Sequence, residues 1–365
     1  MTIASVGDIA LARLASQHIA RPAAARAAEV VARLGAVQAQ DYLGALWAVG
    51  LRTPGATEPA IEQALAEREI VRTWPMRGTL HIVAAADARW MLELLASRVV
   101  SRSGARRREL GIDAAALAAS AKVVAGALVG GRQLTRSALY EQLEQAGIAT
   151  GGSRGLHILG YLAHERLICF GARAGKQPTF VLLEEWLPAA PALARDEALA
   201  MLALRYFTGH GPATVQDLTW WAGLTLGEAR AAIGSVAGQL ARATVGGQEY
   251  FFAPGLAAGA ADPAEAFLLP PFDEFLVGYR DRSAMLDPAH TNLVTPGSNG
   301  IFNPIVVIGG RVLGTWKRAF AKKSVVLSFS AFAHFSAGQA RAIEAAAERY
   351  AAFLGLPAEI QIEHE

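Results

Sequence analysis

Cysteine is all but missing: Cys169 stands alone in 365 residues. An internal disulfide and a Cys-rich zinc site are both excluded, a usage that suits the cytoplasm. Net charge is missing too. Asp and Glu total 32 against 34 Lys and Arg, leaving +2, so any nucleic-acid binding has to come from a local basic patch. No uninterrupted apolar run comes near the roughly 20 residues of a membrane-spanning helix. The opening Met1-Thr2-Ile3-Ala4-Ser5 lacks the basic-then-apolar layout of a secretory signal. A cytoplasmic protein with no membrane partner is expected. Asp273, Glu274, Asp281 and Asp287 could suggest a metal site, but no HxxxH or paired-His context accompanies them. Neither a metal nor another cofactor is expected.

What is present describes a folded chain. Hydrophobic residues make up 53 % and charged residues 18 %, outside the disordered range. Alanine runs such as Ala23-Ala24-Ala25 and Ala114-Ala115-Ala116 favour helix. The length leaves room for roughly two to four domains with an ample core. Leu11, Leu14 and Ile19, then Val30, Val31 and Leu34, form core stripes of helices between residues 7 and 50. Pro54, Gly55 and Pro59 mark a turn, after which Thr57 caps a helix through Glu69. Ile70–Trp74 and Thr79–Val83 then read as two strands, turning at Pro75-Met76-Arg77-Gly78.

Helices followed by a short hairpin is the order of a winged helix, and it recurs. Thr135 opens a helix through Ala146, and Ser153 caps another that buries Leu156, Leu159, Leu162 and Leu167. The hairpin Leu167–Phe170 and Phe180–Leu183 follows. A third block runs from Thr214, with Leu218 and Trp221 inward, through Gly223-Leu224-Thr225 into a second helix, Leu226 to Val236. Its hairpin is Arg242–Val245 and Glu249–Phe252, closed by Gly246-Gly247. From residue 264 the texture changes. Leu268–Tyr279, Ile305–Ile308, Val312–Trp316 and Val325–Phe329 read as strands, with Gly309-Gly310 as a hairpin turn. A helix from Ser336 to Leu354 and a strand at Glu359–Ile362 end the chain. The expected fold class is mixed α/β (α+β), mainly helical: winged-helix units at 1–112, 113–190 and 191–263, and a C-terminal β-barrel-like domain at 264–365.

The stretch with chemical content is Val37-Gln38-Ala39-Gln40-Asp41. If it is extended, Gln38 and Gln40 point the same way and both amides can face one cleft. If it is helical they diverge. Paired amides can hydrogen-bond a water or a substrate from two sides, but they cannot take a proton. Two solvated polar residues at a helix end would have the same spacing.

Several blocks resemble the winged-helix DNA-binding family that includes the AlkZ/YcaQ DNA glycosylases. They are Val37-Gln38-Ala39-Gln40-Asp41, Arg77-Gly78-Thr79-Leu80-His81, and His210-Gly211-Pro212-Ala213-Thr214 with Trp220-Trp221. Further on come Leu269-Pro270-Pro271-Phe272-Asp273-Glu274-Phe275, Gly278-Tyr279-Arg280-Asp281-Arg282 and Gly314-Thr315-Trp316-Lys317-Arg318. Any one block is weak, but the ordered set spans most of the chain. The resemblance implies three tandem winged helices curved into a C shape plus the β-barrel-like domain. It also implies a catalytic glutamine–apolar–glutamine motif of the AlkZ branch, matched by Gln38-Ala39-Gln40. The YcaQ-like branch has aspartate where this chain has Gln40.

The implied activity is excision of alkylated purines from double-stranded DNA, including bulky adducts and interstrand crosslinks, for repair or self-resistance to a genotoxin. An N7- or N3-alkylated purine is already cationic and leaves without a general acid. The enzyme then needs to place a water at C1′ and stabilise an oxocarbenium-like sugar, which two amide oxygens can do. Asp41 could supply a base, but a helix cap or salt-bridge partner is the commoner use of such a residue. No lysine lies near the glutamines, so a monofunctional enzyme without lyase chemistry is expected. A bulky adduct further implies an open cleft and not a tight flipped-base pocket.

DNA contacts are expected from Arg77 and His81 on the first wing and from the cluster Arg98, Arg102, Arg106, Arg107 and Arg108. Arg154, Arg173 with Lys176, and Lys317 with Arg318 are further candidates. A buried His81, a solvated arginine face, a structural His210 and a core Trp220-Trp221 are the structural readings of the same residues. The rival function is a non-catalytic winged-helix transcriptional regulator, which would need base-reading side chains on its recognition helix and usually a symmetric dimer. Leu226–Val236, with Glu228 and Arg230 among alanines, is poor material for that. Three such units in one chain leave little need to dimerise, and a monomer is expected.

Overall fold

The computed structural model describes residues 3–190, 192–256, 262–298 and 300–362. The fold is mixed α/β, in two compact units: Glu62–Leu199, and Met1–Ile61 with Ala200–Glu365.

Glu62–Leu199 starts from the antiparallel hairpin Ile70–Met76 and Thr79–Ala84. Its two turn residues, Arg77 and Gly78, both have positive φ, 56° and 77°, as a tight hairpin turn demands. Helices Ala85–Arg102, Gly104–Glu109, Ala114–Leu128, Arg136–Gln145 and Arg154–His164 follow, then strands Ile168–Phe170 and Thr179–Leu182, with Leu134–Thr135 as a third strand of that sheet. Asp113 and Thr135 cap their helices by accepting the Ala116 and Ala138 N–H groups. The core gathers Trp74, Leu139, Leu143, Ile158, Leu159, Leu162, Phe170 and Phe180. Two expectations are corrected here. Leu156 is 50 % exposed, because the apolar stripe of its helix runs through Gly155, Ile158, Leu159 and Leu162 and leaves Leu156 on the outer face. Ser153 precedes that helix in an αR conformation and makes no side-chain cap.

The other unit brings the two ends of the chain together. Helix Ala27–Leu34 packs on Tyr42–Gly50 and meets Arg195–His210, and Val215–Ala222 packs on Leu226–Ser235; Val6–Ser16 precedes them. Thr214 and Thr225 form capping boxes with Asp217 and Glu228, and Gly223 ends the helix between them at φ 70°. The hairpin Ala241–Val245 and Gln248–Phe252 completes that helix–turn–helix–hairpin order. A five-stranded sheet follows, in the order Ala358–Ile362, Val325–Ala331, Arg311–Phe320, Ile305–Ile308, Ala266–Leu269. The pairings among the described residues run in that open order, and helix Ala337–Leu354 packs on the sheet.

One strand is shorter than expected. It stops at Leu269, and residues 274–277 are helical. Pro270 and Pro271 cannot donate to a ladder, and Asp273 instead accepts the Phe275 N–H and caps the turn Glu274–Val277.

Trp47 ties the N-terminal helices to the sheet. Its indole N–H donates to the Leu268 carbonyl at 2.7 Å, and its ring meets Tyr350 and Phe353, each with centroids 5.0 Å away. On the other side Gly209 lets helix Arg195–His210 touch the end of Ala27–Leu34. A Cβ at Gly209 would stand 2.4 Å from the Arg33 carbonyl oxygen and 3.1 Å from the Leu34 Cα, both rigid backbone. Gly209→Ala is therefore expected to destabilise by about 1–3 kcal/mol through overpacking, read as a lower melting temperature.

Candidate active site

Helix Ala27–Leu34 ends at Gly35, at φ 75°, and helix Tyr42–Gly50 begins seven residues later. Between them Val37–Gln38 is a short extended strand, so the glutamines do not lie on a helix. Gln38 is 8 % exposed, Ala39 is fully buried and Gln40 is exposed. Asp41 is the N-cap of the second helix. Its Oδ1 accepts the Gly44 N–H at 2.5 Å and faces the Arg318 guanidinium at 3.4 Å. Arg318 also donates to the Tyr350 hydroxyl at 2.6 Å. The carboxylate nearest the glutamines in sequence is thus a cap and an ion-pair partner.

Glu274 holds the strand from behind. It is 1 % exposed, and its Oε1 accepts the backbone N–H of Gln38 at 2.9 Å. Its Oε2 accepts the indole N–H of Trp221 at 2.9 Å and meets His210 Nε2 at 3.1 Å. His210 is fully buried, stacked on Tyr206 with ring centroids 4.7 Å apart. Its Nδ1 is buried with no hydrogen-bond partner. A carboxylate oxygen can only accept, so the proton on Nε2 is directed at Glu274.

The neighbouring Asp273 is locked independently. Arg52, fully buried at the end of an apolar helix, donates to both Asp273 oxygens at 2.9 and 2.8 Å and to the Ala48 carbonyl. It also donates to the backbone and side-chain oxygens of Gln17. Gln17 passes the network to Tyr279, whose hydroxyl donates to the His210 carbonyl at 2.6 Å. Burial, above all, pushes the Tyr279 phenol up, so it stays a neutral donor. Arg13, also buried, lies over the Tyr279 ring at 3.6 Å, donates to the Pro212 carbonyl and pairs with Asp217 at 3.7 Å.

Sequence reading missed Arg52 and Gln17 and gave Glu274 no role. The one available signal was an arginine closing the apolar run Leu46-Trp47-Ala48-Val49-Gly50-Leu51, where a charge needs a buried partner. Asp273 and Glu274 are held by these protein partners, while Asp281 and Asp287 accept the Ser283 and Ala289 backbone N–H groups. No cluster able to hold a metal ion occurs among the described residues.

The sequence model of the family described as "DNA glycosylase AlkZ-like" matches residues 31–353. The chain belongs to that family. An "Interstrand DNA cross-link repair glycosylase" of Streptomyces sahachiroi is 29 % identical over 311 residues, 80 % of this chain and 82 % of the relative. The solved structure of Streptomyces sahachiroi DNA glycosylase AlkZ superposes with a TM-score of 0.80 at 26 % identity, covering 99 % of this chain and 100 % of that one. This AlkZ-like protein is therefore a DNA glycosylase, a hydrolase of N-glycosyl bonds, and DNA is its substrate. That decides against the non-catalytic regulator.

The glycosylase carries its other candidate residues in varied settings. Trp221 is core, whereas Trp220 is 47 % exposed with the Arg282 guanidinium 5.6 Å from its ring. Lys317 is exposed. In the unit Glu62–Leu199, His81 is fully buried. Its Nδ1–H donates to the Thr79 carbonyl at 3.0 Å, which leaves Nε2 to accept from Arg77 at 3.2 Å. The imidazole thus props the turn arginine and does not itself reach the surface. Arg102, Arg106 and Arg108 are exposed; Arg106 pairs with Glu109 at 2.8 Å. Arg107 is tied back to Ser103 Oγ and the Val100 carbonyl. Arg154 donates to the Ala149 and Leu110 carbonyls, joining its helix to the end of helix Gly104–Glu109. Arg173 pairs with Glu62 at 2.7 Å and donates to the Lys176 carbonyl.

Proposed function

We propose that this enzyme hydrolyses the N-glycosidic bond of cationic N7- or N3-alkylated purines in double-stranded DNA, bulky adducts and interstrand crosslinks included. It acts as a cytoplasmic monomer and leaves an abasic site without lyase chemistry. Gln38 and Gln40 are its catalytic residues. The observation that carries this reading is the state of the carboxylates around the glutamines. Asp41 caps a helix and faces Arg318, Asp273 is bound by Arg52, and Glu274 is buried against three donors. A site whose polar side chains are neutral amides suits a leaving group that already carries its positive charge. The name of the 29 %-identical relative, a crosslink repair glycosylase, points to the same class of lesion.

The helix-and-hairpin stretches at 1–112, 113–190 and 191–263 are read as the winged helices that hold the duplex. The contacts to phosphate are assigned to Arg77, Arg102, Arg106, Arg107, Arg154, Lys317 and Arg318, with His81 supporting Arg77. Replacing the exposed Arg102 and Arg106 by glutamine is expected to weaken binding to all duplexes alike. If both touch phosphate, the slope of log K against log salt should fall by roughly two; an unchanged slope would remove them from the interface.

Excision is tested on one duplex carrying a single N7-methylguanine and one carrying a nitrogen-mustard crosslink, with alkali cleavage revealing abasic sites. Excision of N7-methylguanine is the expected result, and release of single strands from the crosslink extends it to unhooking. DNA binding without excision of either lesion would overturn the substrate assignment. Cleavage without alkali would overturn the monofunctional mechanism.

A further inference from the structure

We propose that Glu274 is a positioning residue of the glycosylase reaction: it fixes the peptide of Gln38 and sets a negative charge behind the amide that meets the sugar. The inference rests on the reading of Gln38 as a catalytic amide. Glu274 comes from the turn after Pro270-Pro271, far from Gln38 in sequence, yet its Oε1 takes the Gln38 N–H at 2.9 Å. Its Oε2 is oriented by two rigid donors. Trp221 Nε1 is 2.9 Å away on a fully buried ring, and His210 Nε2 is 3.1 Å away on another. With donors on both oxygens, the group acts as an ionised acceptor.

The packing leaves this arrangement little play. A Cβ on Gly278 would lie 2.7 Å from His210 Cδ2 and 2.6 Å from the Glu274 carbonyl oxygen. A Cβ on Gly35 would lie 3.2 Å from the Trp221 ring at the start of the glutamine segment. Glu274, His210 and Trp221 therefore hold Gln38 at a set position before substrate arrives. Two consequences follow for hydrolysis. The Gln38 side chain extends from a peptide that cannot shift, so little reorganisation is needed as the sugar becomes cationic. A carboxylate that is 1 % exposed is also poorly screened by salt, so its field favours that cation. Glu274 touches neither sugar nor base in this scheme and exchanges no proton with them.

The test uses the full-length enzyme and two abasic-site analogues in the same duplex, a neutral tetrahydrofuran and a cationic pyrrolidine. Wild type is expected to bind the pyrrolidine duplex at least tenfold more tightly than the tetrahydrofuran duplex. Glu274→Gln should bring that ratio close to one and slow single-turnover excision at least tenfold, with tetrahydrofuran affinity unchanged. Should Glu274→Gln fail to fold, Glu274→Asp keeps the charge but draws it back one methylene from the Gln38 N–H. It is then expected to lower both the ratio and the rate. A folded variant that retains the wild-type ratio and rate overturns the proposal, because loosened packing alone would not select between two analogues of the same shape. A Gln38→Ala arm separates the two ideas. Excision unaffected in Gln38→Ala would overturn the reading of Gln38 itself, whereas loss in Gln38→Ala with full activity in Glu274→Gln would overturn the role of Glu274 alone.

Discussion

Gln38→Ala is expected to slow excision of N7-methylguanine by about 10²- to 10³-fold, the effect of removing one preorganised polar group from a developing charge. The reaction gives the protein little else to contribute. On the proposed substrate the base leaves as an already activated group, which puts the barrier in the cationic sugar and in placing the water. An alanine at 38 keeps the strand, the Glu274 contact to its backbone N–H and the capped helix after it, because those bonds use main chain and Asp41. Folding and DNA affinity should therefore be retained, and the loss should appear in the single-turnover rate and not in Kd. Gln40→Ala belongs to the same experiment. Gln40 is exposed where Gln38 is not, so its substitution perturbs packing even less. If both variants excise at the wild-type rate, the amide pair is not the catalytic group.

The largest stability effect is expected at Arg52. Arg52→Met removes the guanidinium that makes five hydrogen bonds, two of them to Asp273. Asp273 is 3 % exposed, so its charge would be left buried without its partner. Breaking such a pair from one side costs about 3–5 kcal/mol. The double variant Arg52→Met, Asp273→Asn should recover part of that, since the stranded charge is gone. Calorimetry on wild type, the two single variants and the double variant would show this as non-additive melting temperatures; additive losses would mean the pair is not coupled. Excision should fall with Arg52→Met at temperatures where the protein is still folded. Asp273 caps the turn that presents Glu274, and Glu274 holds Gln38.

Local structure was legible in the sequence wherever a short-range cause dominated. Thr57, Thr135, Thr214 and Ser336 announced helix starts because capping is decided within four residues. The Gly246-Gly247 and Gly309-Gly310 turns were readable because tight hairpins need positive φ, and both pairs have it. The reading failed at Leu268–Tyr279, where apolar residues continue past the end of the strand. Two prolines and a capping aspartate turn the chain there, and those local signals outweighed the apolar pattern. It failed again at Leu156, since an apolar residue on a helix does not say by itself which face the rest of the fold will cover.

The sequence by itself determined the class of chemistry. The ordered set of blocks along the chain was enough, through their resemblance to a known family, to point to a DNA glycosylase, and two amides with no lysine beside them made Gln38 and Gln40 the candidates for its catalytic residues. These are statements about side-chain type and order along the chain, which the sequence holds before any contact forms. Only the tertiary structure decided what each carboxylate and guanidinium is for. Asp41 was readable as a cap, but Asp273 and Glu274 are equivalent on paper, and one neutralises Arg52 while the other grips the peptide of Gln38. Those assignments depend on contacts between residues some 220 to 280 positions apart, such as Arg52 with Asp273 and Arg318 with Asp41. No local pattern encodes such pairs, because the cost of burying a charge is settled only when the distant partner arrives.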